Sequence, residues 1–431
     1  MSGGVDSSVA AALLVQKGYR VFGVTMKLWC YADTQARAKP CCSQAAIDDA
    51  KSVAAKLCIP HYVIDLEECF ESQVIRPFCL GYSRGSTPNP CVMCNTRVKF
   101  KALMDKTLSM GADFFASGHY AILERNTHSD ETCGSGSRVR SEETGDLERD
   151  AREIVRRDDG SHVGAQSKEE DLAPDAQNEE TDGSGHSCGW RLRRAADRGK
   201  DQSYVLWGIE RYRLPRILFP LGPITKKEVR SIASRMGLSS SERLESQDVC
   251  FVESGSCGEF VAQRLSRMGV TVSPGPITDV SGARLGTHDG LVYFTIGQRR
   301  GLGVSSGRRL YVVALEPESH AVVIGEKRHL LARQFICSDV NWLTNLRDEF
   351  PLKALVQIRY THVPAEAEIG EEDEIGSQPE TDEGGSEADA SHLKVRVTFE
   401  KEQSAITPGQ SAVFYRGDEV LGGSTIERVC G

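Results

Sequence analysis

Three short stretches of this 431-residue chain join residue types to spacings that can do chemistry. The first is Ser2-Gly3-Gly4-Val5-Asp6-Ser7-Ser8, which opens an apolar run. Its glycines let backbone N–H groups approach an anion, Ser7 and Ser8 add hydroxyl donors, and a helix starting here favours negative charge. It lacks the Gly-Lys-Ser/Thr of a γ-phosphate loop and the GxGxxG of a dinucleotide loop. Asp6 does not welcome phosphate directly; it suits bracing the loop or holding Mg2+ between phosphates. The bland alternative is a helix cap with flexible glycines. The second stretch is "GSTPNPCVMCNTRVKF", where Pro88 and Pro90 stiffen the approach to a Cys91/Cys94 pair followed by Arg97, Lys99 and Lys101. Three readings compete: zinc, which needs two more ligands although no second C-x-x-C exists; a thioredoxin-like redox pair; and a catalytic thiol whose thiolate nearby positive charge favours. The basic context fits the last best. The third is Cys250 in "LESQDVCFV", where a polar turn enters an apolar strand. Taken alone, a buried structural cysteine is the favoured reading there.

These residues need a scaffold, and the hydrophobic pattern supplies one. Val9–Gln16 reads as a helix, Tyr19–Met26 as a strand, Ala45–Leu57 as a helix and His61–Asp65 as a strand, with another near Asp113–Gly118. Strands alternating with helices imply a parallel α/β sheet. Trp190–Trp207 resumes this domain after an interruption. From Gly275 the texture changes to short β-type runs with Gly turns, including "GLVYFTIGQRRGLG" and "LYVVAL", and a last β-rich segment spans Phe335–Cys430.

The net charge of −9 has to be located before it is used. Asn126–Cys188 carries −10 and Ala365–Ser391 carries −11; both are rich in Gly, Ser, Glu and Asp, lack apolar periodicity, and read as disordered insertions. Removing them leaves +12, which suits a polyanion such as RNA. The 14 cysteines are unevenly spaced along a long chain, unlike a small disulfide scaffold, so the expectation is a reduced intracellular protein. No run of ~20 apolar residues is present to span a membrane.

The first stretch resembles the loop of the ATP pyrophosphatase superfamily, and the chain as a whole resembles the tRNA-specific 2-thiouridylase family. The motifs carrying that resemblance are "SGGVDSS", "GVTMKLW", "TPNPCVMCN", "SGHYA", "KDQSYVLW", "FPLG", "ESQDVCFV", "FTIGQRRGLG", "IRYTH" and "TPGQSAVFYRGD", in family order. The resemblance implies a Rossmann-like catalytic domain over 1–255 (insertion 126–188), a small β-rich central domain over 256–332, and a tRNA-binding C-terminal β-barrel over 333–431 (insertion 365–391). It implies thiolation of the wobble uridine of tRNAs for Lys, Glu and Gln: ATP adenylates the C2 oxygen, and a persulfide sulfur then attacks C2. Cys250 would carry the persulfide received from a sulfur donor, such as a cysteine desulfurase or relay protein, and Cys94 would be its partner thiol in a transient disulfide. Ser2, Gly3, Gly4, Val5, Asp6, Ser7, Ser8, Met26 and Gly118 match ATP positions. Asn89, Pro90 and Cys91 match the segment facing the target base. His119, Lys200, Asp201, Gln202, Arg359, Tyr360 and Gln410 match tRNA contacts. Gln298, Arg299 and Arg300 either touch tRNA or order a loop.

The chain departs from the pattern in three ways. Many members carry Asp at Cys91, and the thiol raises the option of a [4Fe–4S] cluster on Cys91, Cys94 and Cys250. The acidic insertions on a bacterial-type core suggest a plastid or mitochondrial setting. The family also places an apolar strand just before the loop, so Met1 reads as internal to a longer protein. A second functional reading is therefore a tRNA-binding protein of this fold, impaired in catalysis by the missing strand.

Overall fold

The computed structural model describes residues 1–28, 44–125, 189–238, 249–252, 256–346, 349–372 and 394–430. The expected insertion at 126–188 lies outside them. Helix α1 (Val5–Gln16) begins four residues earlier than the apolar run indicates, because Gly4 is its N-cap and Asp6, Ser7 and Ser8 fill its first turn. Strand β1 (Gly23–Lys27), helix α2 (Gln44–Lys56) and strand β2 (His61–Asp65) follow. β1 and β2 run parallel from Gly23↔His61 to Lys27↔Asp65. Helices α3 (Glu67–Phe70) and α4 (Arg76–Ser83) are joined by a π-type segment, Glu71–Ile75. Helices α5 (Pro90–Met93) and α6 (Met104–Ser109) are likewise joined through Cys94–Leu103.

Strand β3 (Phe115–Ala116) is followed by a hairpin of β4 (Ala121–Arg125) and β5 (Trp190–Arg194). β3 pairs in parallel with β6 (Ile217–Leu218). Both parallel pairs serve one apolar cluster, with Val24, Met26, Ile64, Phe115 and Ile217 among its members. Helix α7 (Lys226–Arg235) starts with a capping box, Thr225 and Glu228, and lays Val229, Ile232 and Ala233 on Val9 and Leu13 of α1. Helix α8 (Cys257–Arg267), capped by Ser256 and Glu259, packs Val261 and Leu265 with Phe70, Phe78 and Cys94.

The central sheet has the order β8-β7-β10-β9, from β7 (Gly275–Asp279), β8 (Arg284–His288), β9 (Tyr311–Glu316) and β10 (Ala321–Gly325). "GLVYFTIGQRRGLG" is not the expected β run. Leu291–Tyr293 is a 3-10 turn, and Gly297, Gly301 and Gly303 sit at φ +87, +71 and +68, a backbone no strand ladder accepts. Its apolar residues Leu291, Phe294 and Leu302 still fill the core under the central sheet.

The last segment is a closed barrel of β11 (Leu331–Trp342), β12 (Leu352–Gln357), β13 (Ala365–Glu371), β14 (Val395–Ser404), β15 (Ser411–Arg416) and β16 (Glu419–Cys430), sealed by β11 against β16. β13 corrects the second expected insertion at its start. "AEAEIGE" alternates, with Ala367 and Ile369 buried and the glutamates outward. Counting charge alone hid that period. Returning Glu366, Glu368, Glu371 and Glu372 to the folded part lowers its balance from +12 to +8. The remainder of that stretch lies outside the described residues. Barrel and first domain share a core: Tyr204, Leu206, Trp207 and Ile209 pack with Leu343, Val413, Tyr415 and Val420. Asn341 also donates to the carbonyls of Trp207 (2.6 Å) and Ile209 (2.9 Å).

Candidate active site

The loop before α1 is held from three sides. Gly3 lies at φ +66, and a Cβ there would stand 2.6 Å from the Ala46 carbonyl of α2. The hydroxyls of Ser7 and Ser8 both donate to the Gly4 carbonyl (3.1 and 2.9 Å), and the Ser2 amide donates to Ser7 Oγ (3.1 Å). Gly118 closes the far side, where a Cβ would meet Ser7 N at 2.8 Å and the Asp6 carbonyl carbon at 2.9 Å. Gly3 and Gly118 are thus required by close backbone approach. The result is a helix N-terminus with a shaped cradle, suited to phosphate oxygens.

Asp6 does not face outward as an open metal ligand. It accepts from Tyr120 Oη (2.7 Å), and Lys226 Nζ donates to both its oxygens (2.7 and 2.8 Å). Lys226 is buried and opens α7. Sequence reasoning missed it, although "ITKKEV", a capping signal with a lysine at the first helical position, marks it. Met26 lies on β1 and packs toward two apolar clusters, which fits a wall of a binding cleft rather than a polar contact.

The thiol segment is braced by the barrel. The Thr87 amide donates to the Pro408 carbonyl (2.8 Å), and Gln410 Nε2 donates to the Thr87 carbonyl (2.7 Å). Asn89 then caps α5, its Oδ1 accepting from the amides of Cys91 (3.1 Å) and Val92 (3.3 Å), with Pro90 in the first turn. This cap presents Cys91 to solvent and turns Cys94 inward. Cys94 packs in the cluster of Phe70, Phe78, Val98 and Phe251. Phe251 meets Phe78 edge-on at 5.3 Å and Phe70 at 5.8 Å, with Val249 and Val252 against the same cluster. The residues flanking Cys250 are therefore docked on the core that buries Cys94. Cys250 itself is exposed and lies in a turn, not in a strand, which removes the buried structural reading favoured for it in isolation. Among the described residues no group of three or more His, Cys, Asp or Glu side chains is placed to hold a metal.

The predicted tRNA residues gather where the first domain meets the barrel, but several are committed internally. Asp201 accepts from the amides of Ala195 (3.0 Å) and Ser203 (3.2 Å), and Gln202 exchanges two bonds with Tyr120. Lys200 closes the adjoining turn, its amide donating to the Asp197 carbonyl. Arg359 donates to the Ser404 carbonyl (2.9 Å). Tyr360 is 52% exposed; its hydroxyl reaches the Asp201 carbonyl (3.4 Å) and its ring lies 6.2 Å from that of Tyr204. Tyr204, inside the "KDQSYVLW" motif but given no role from sequence, joins the halves by donating to the Ser411 carbonyl (2.8 Å) and bonding the Asn89 side chain. Burial pushes its phenol well above the ordinary range. His119 is wedged between Phe100 (5.7 Å) and Phe219 (6.2 Å), with Nδ1 2.6 Å from Ser117 Oγ. Burial, and then the charge of Lys99, hold it well below the usual imidazole range, so it is neutral.

Three family models cover the chain. The tRNA methyl transferase HUP domain matches residues 1–144 and 177–254, the tRNA methyl transferase PRC-barrel domain 259–326, and the Aminomethyltransferase beta-barrel domain 381–426. The tRNA-specific 2-thiouridylase MnmA of Carboxydothermus hydrogenoformans is 39% identical, covering 99% of this chain and 96% of its own. Its counterpart in Pelotomaculum thermopropionicum is 37% identical with 99% and 96% covered, and that of Moorella thermoacetica 38% with 100% and 98%. No helix among the described residues is long and apolar enough to cross a membrane. A cradle for phosphates, an outward thiol docked on the core of an inward one, and this full-length similarity place the chain in the tRNA-specific 2-thiouridylase family.

Proposed function

We propose that this chain is an ATP-consuming tRNA-uridine 2-sulfurtransferase acting on the wobble uridine of tRNAs for Lys, Glu and Gln. The observation that carries the reading is the docking of Val249, Phe251 and Val252 on the cluster that buries Cys94, which keeps two sequence-distant thiols at one corner of the molecule. ATP is seated with its phosphates on the Ser2–Ser8 loop. The uridine C2 oxygen attacks the α-phosphorus, pyrophosphate leaves, and a poor oxide leaving group becomes AMP. The terminal sulfur of a Cys250 persulfide attacks C2 and expels AMP. Cys94 then attacks Cys250 Sγ, freeing the thiocarbonyl and leaving a Cys94–Cys250 disulfide for an external thiol to reduce. Asn89 and Pro90 hold Cys91 beside the target base, which has to leave its stack to be reached. Tyr360, the most exposed of the predicted contacts, suits stacking on an RNA base.

Mg2+ would accompany the ATP phosphates, with Asp6 reaching it only by releasing Lys226. The same reading assigns 1–255 to catalysis, 256–332 to the central module and 333–431 to the RNA-binding barrel. Sulfur comes from a protein persulfide. A plastid or mitochondrial setting is a separate proposal, resting only on acidic stretches added to a bacterial-type core. The test is 2-thiouridine formation in tRNA supplied with ATP and a persulfide donor, read by nucleoside mass spectrometry. Cys94→Ser and Cys250→Ser each abolish turnover; full activity in both would overturn the mechanism.

A further inference from the structure

Between Asp289 and Glu316 the chain has four arginines and no acidic residue. All four, Arg299, Arg300, Arg308 and Arg309, are exposed on the loop that precedes β9. Three of them, Arg299, Arg308 and Arg309, line a hollow of about 510 Å3 with Leu302, Val304 and Ser305. Some exposed arginines elsewhere face carboxylates, as Arg198 does Asp418 and Arg396 does Glu372. Here only Arg308 has one, Glu326 at 3.1 Å, and Arg308 is still 78% exposed; Arg299, Arg300 and Arg309 have none among the described residues.

The loop is built, not slack. Gln298 orders it: Oε1 accepts from the Thr295 amide (3.0 Å), Nε2 donates to the Arg300 carbonyl (2.9 Å), and its carbonyl accepts from the Val312 amide (2.9 Å). Leu302 anchors the tip in the central core. The loop base is tied to both neighbours. Thr295 bonds the side chain of Tyr82 on α4, and Gly297 packs on Ala405 of the barrel. Like charges held together on a fixed frame repel one another, and a polyanion relieves that cost.

We propose that Arg299, Arg300, Arg308 and Arg309 form a clamp for RNA backbone phosphates, a second tRNA-binding surface on the central domain separate from the thiol segment and the Tyr360 region. It rests on the tRNA reading above. It binds backbone rather than bases, so it contributes affinity without sequence preference.

The experiment compares wild type with R299A/R300A/R308A/R309A, measuring binding of unmodified tRNA-Lys and of an unrelated tRNA across a salt series. The variant should bind both about tenfold or more weakly at low salt, with the log–log salt slope shallower by about 2–3. KM for tRNA should rise while KM for ATP stays unchanged. Equal affinity and slope in the two proteins would overturn the clamp, as would a loss confined to one tRNA. So would normal tRNA binding with sulfur transfer lost from a protein persulfide donor but kept with a small-molecule one, which would assign the surface to the donor. Thermal unfolding checks that the exposed substitutions leave the fold intact. A wild type that binds tRNA through the loop but forms no 2-thiouridine would overturn the activity and leave the clamp standing.

Discussion

Replacing Lys226 by methionine keeps most of the aliphatic stem and removes the cation from Asp6. The ammonium sits 2.7 and 2.8 Å from the two carboxylate oxygens, with side-chain exposures of 8% for Lys226 and 33% for Asp6. Unit charges about 4 Å apart attract by about 4 kcal/mol at an effective dielectric of about 20. The desolvation already imposed on the lysine, and the solvent still reaching Asp6, offset roughly half of that, so the substitution should cost about 2 kcal/mol. The functional effect has the same origin. Asp6 stands in the first turn of α1, where the helix N-terminus would attract phosphate, and without Lys226 its charge opposes that attraction. ATP affinity should fall by about tenfold or more. Urea unfolding reads the first effect, and titration of the protein with ATP in the absence of tRNA reads the second. Asp6→Asn introduced into Lys226→Met should recover part of both losses, because it removes the uncompensated charge. A wild-type urea midpoint and ATP affinity in the single variant, or a double variant no better than the single, would refute this account.

Gly118→Ala puts a methyl 2.8 Å from Ser7 N, a backbone atom that cannot yield without moving the first turn of α1; ATP affinity should drop about tenfold, as overpacking of about 1–3 kcal/mol implies, and unchanged ATP titration would show that the turn tolerates the shift. Asn89→Ala removes both cap bonds at Cys91 and Val92, costing about 1 kcal/mol and slowing sulfur transfer; Asn89→Asp, which can still cap, should retain stability in urea unfolding. His119 is held neutral, so below the ordinary imidazole value near ~6.5 the unfolded chain binds a proton that the native ring refuses. Its contribution to stability is present above that value and is lost as pH falls. His119→Gln should flatten the decline in urea midpoint between about pH 7.5 and 5.5, and an unchanged decline would show that other groups carry it.

The sequence by itself determined much of this protein, because several of its signals are local. A Gly-Gly-x-Asp-Ser-Ser start to an apolar run specifies a helix N-terminus that can hold an anion, whatever it packs against. Alternating strand and helix periods specified parallel pairing, whereas the Asn89 cap that orients the thiol pair was read only from the structure. Where local signals conflicted, the sequence misled. Charge in "AEAEIGE" concealed a barrel strand, and apolar residues in "GLVYFTIGQRRGLG" suggested strands where left-handed glycines forbid them.

Tertiary structure alone decided what depends on residues far apart in the chain. Lys226 reaches Asp6 across 220 residues, Gln410 supports Thr87 across 323, and Phe251 seats the Cys250 turn on the core around Cys94. It also separated polar residues that read alike in sequence: Asp201 and Gln202 are spent on internal bonds, whereas Tyr360 stays open to solvent. Hydrophobic periodicity fixes which face of an element is buried, but not which element it is buried against. That partner is set by side-chain packing summed over the whole core, which no single stretch of sequence contains.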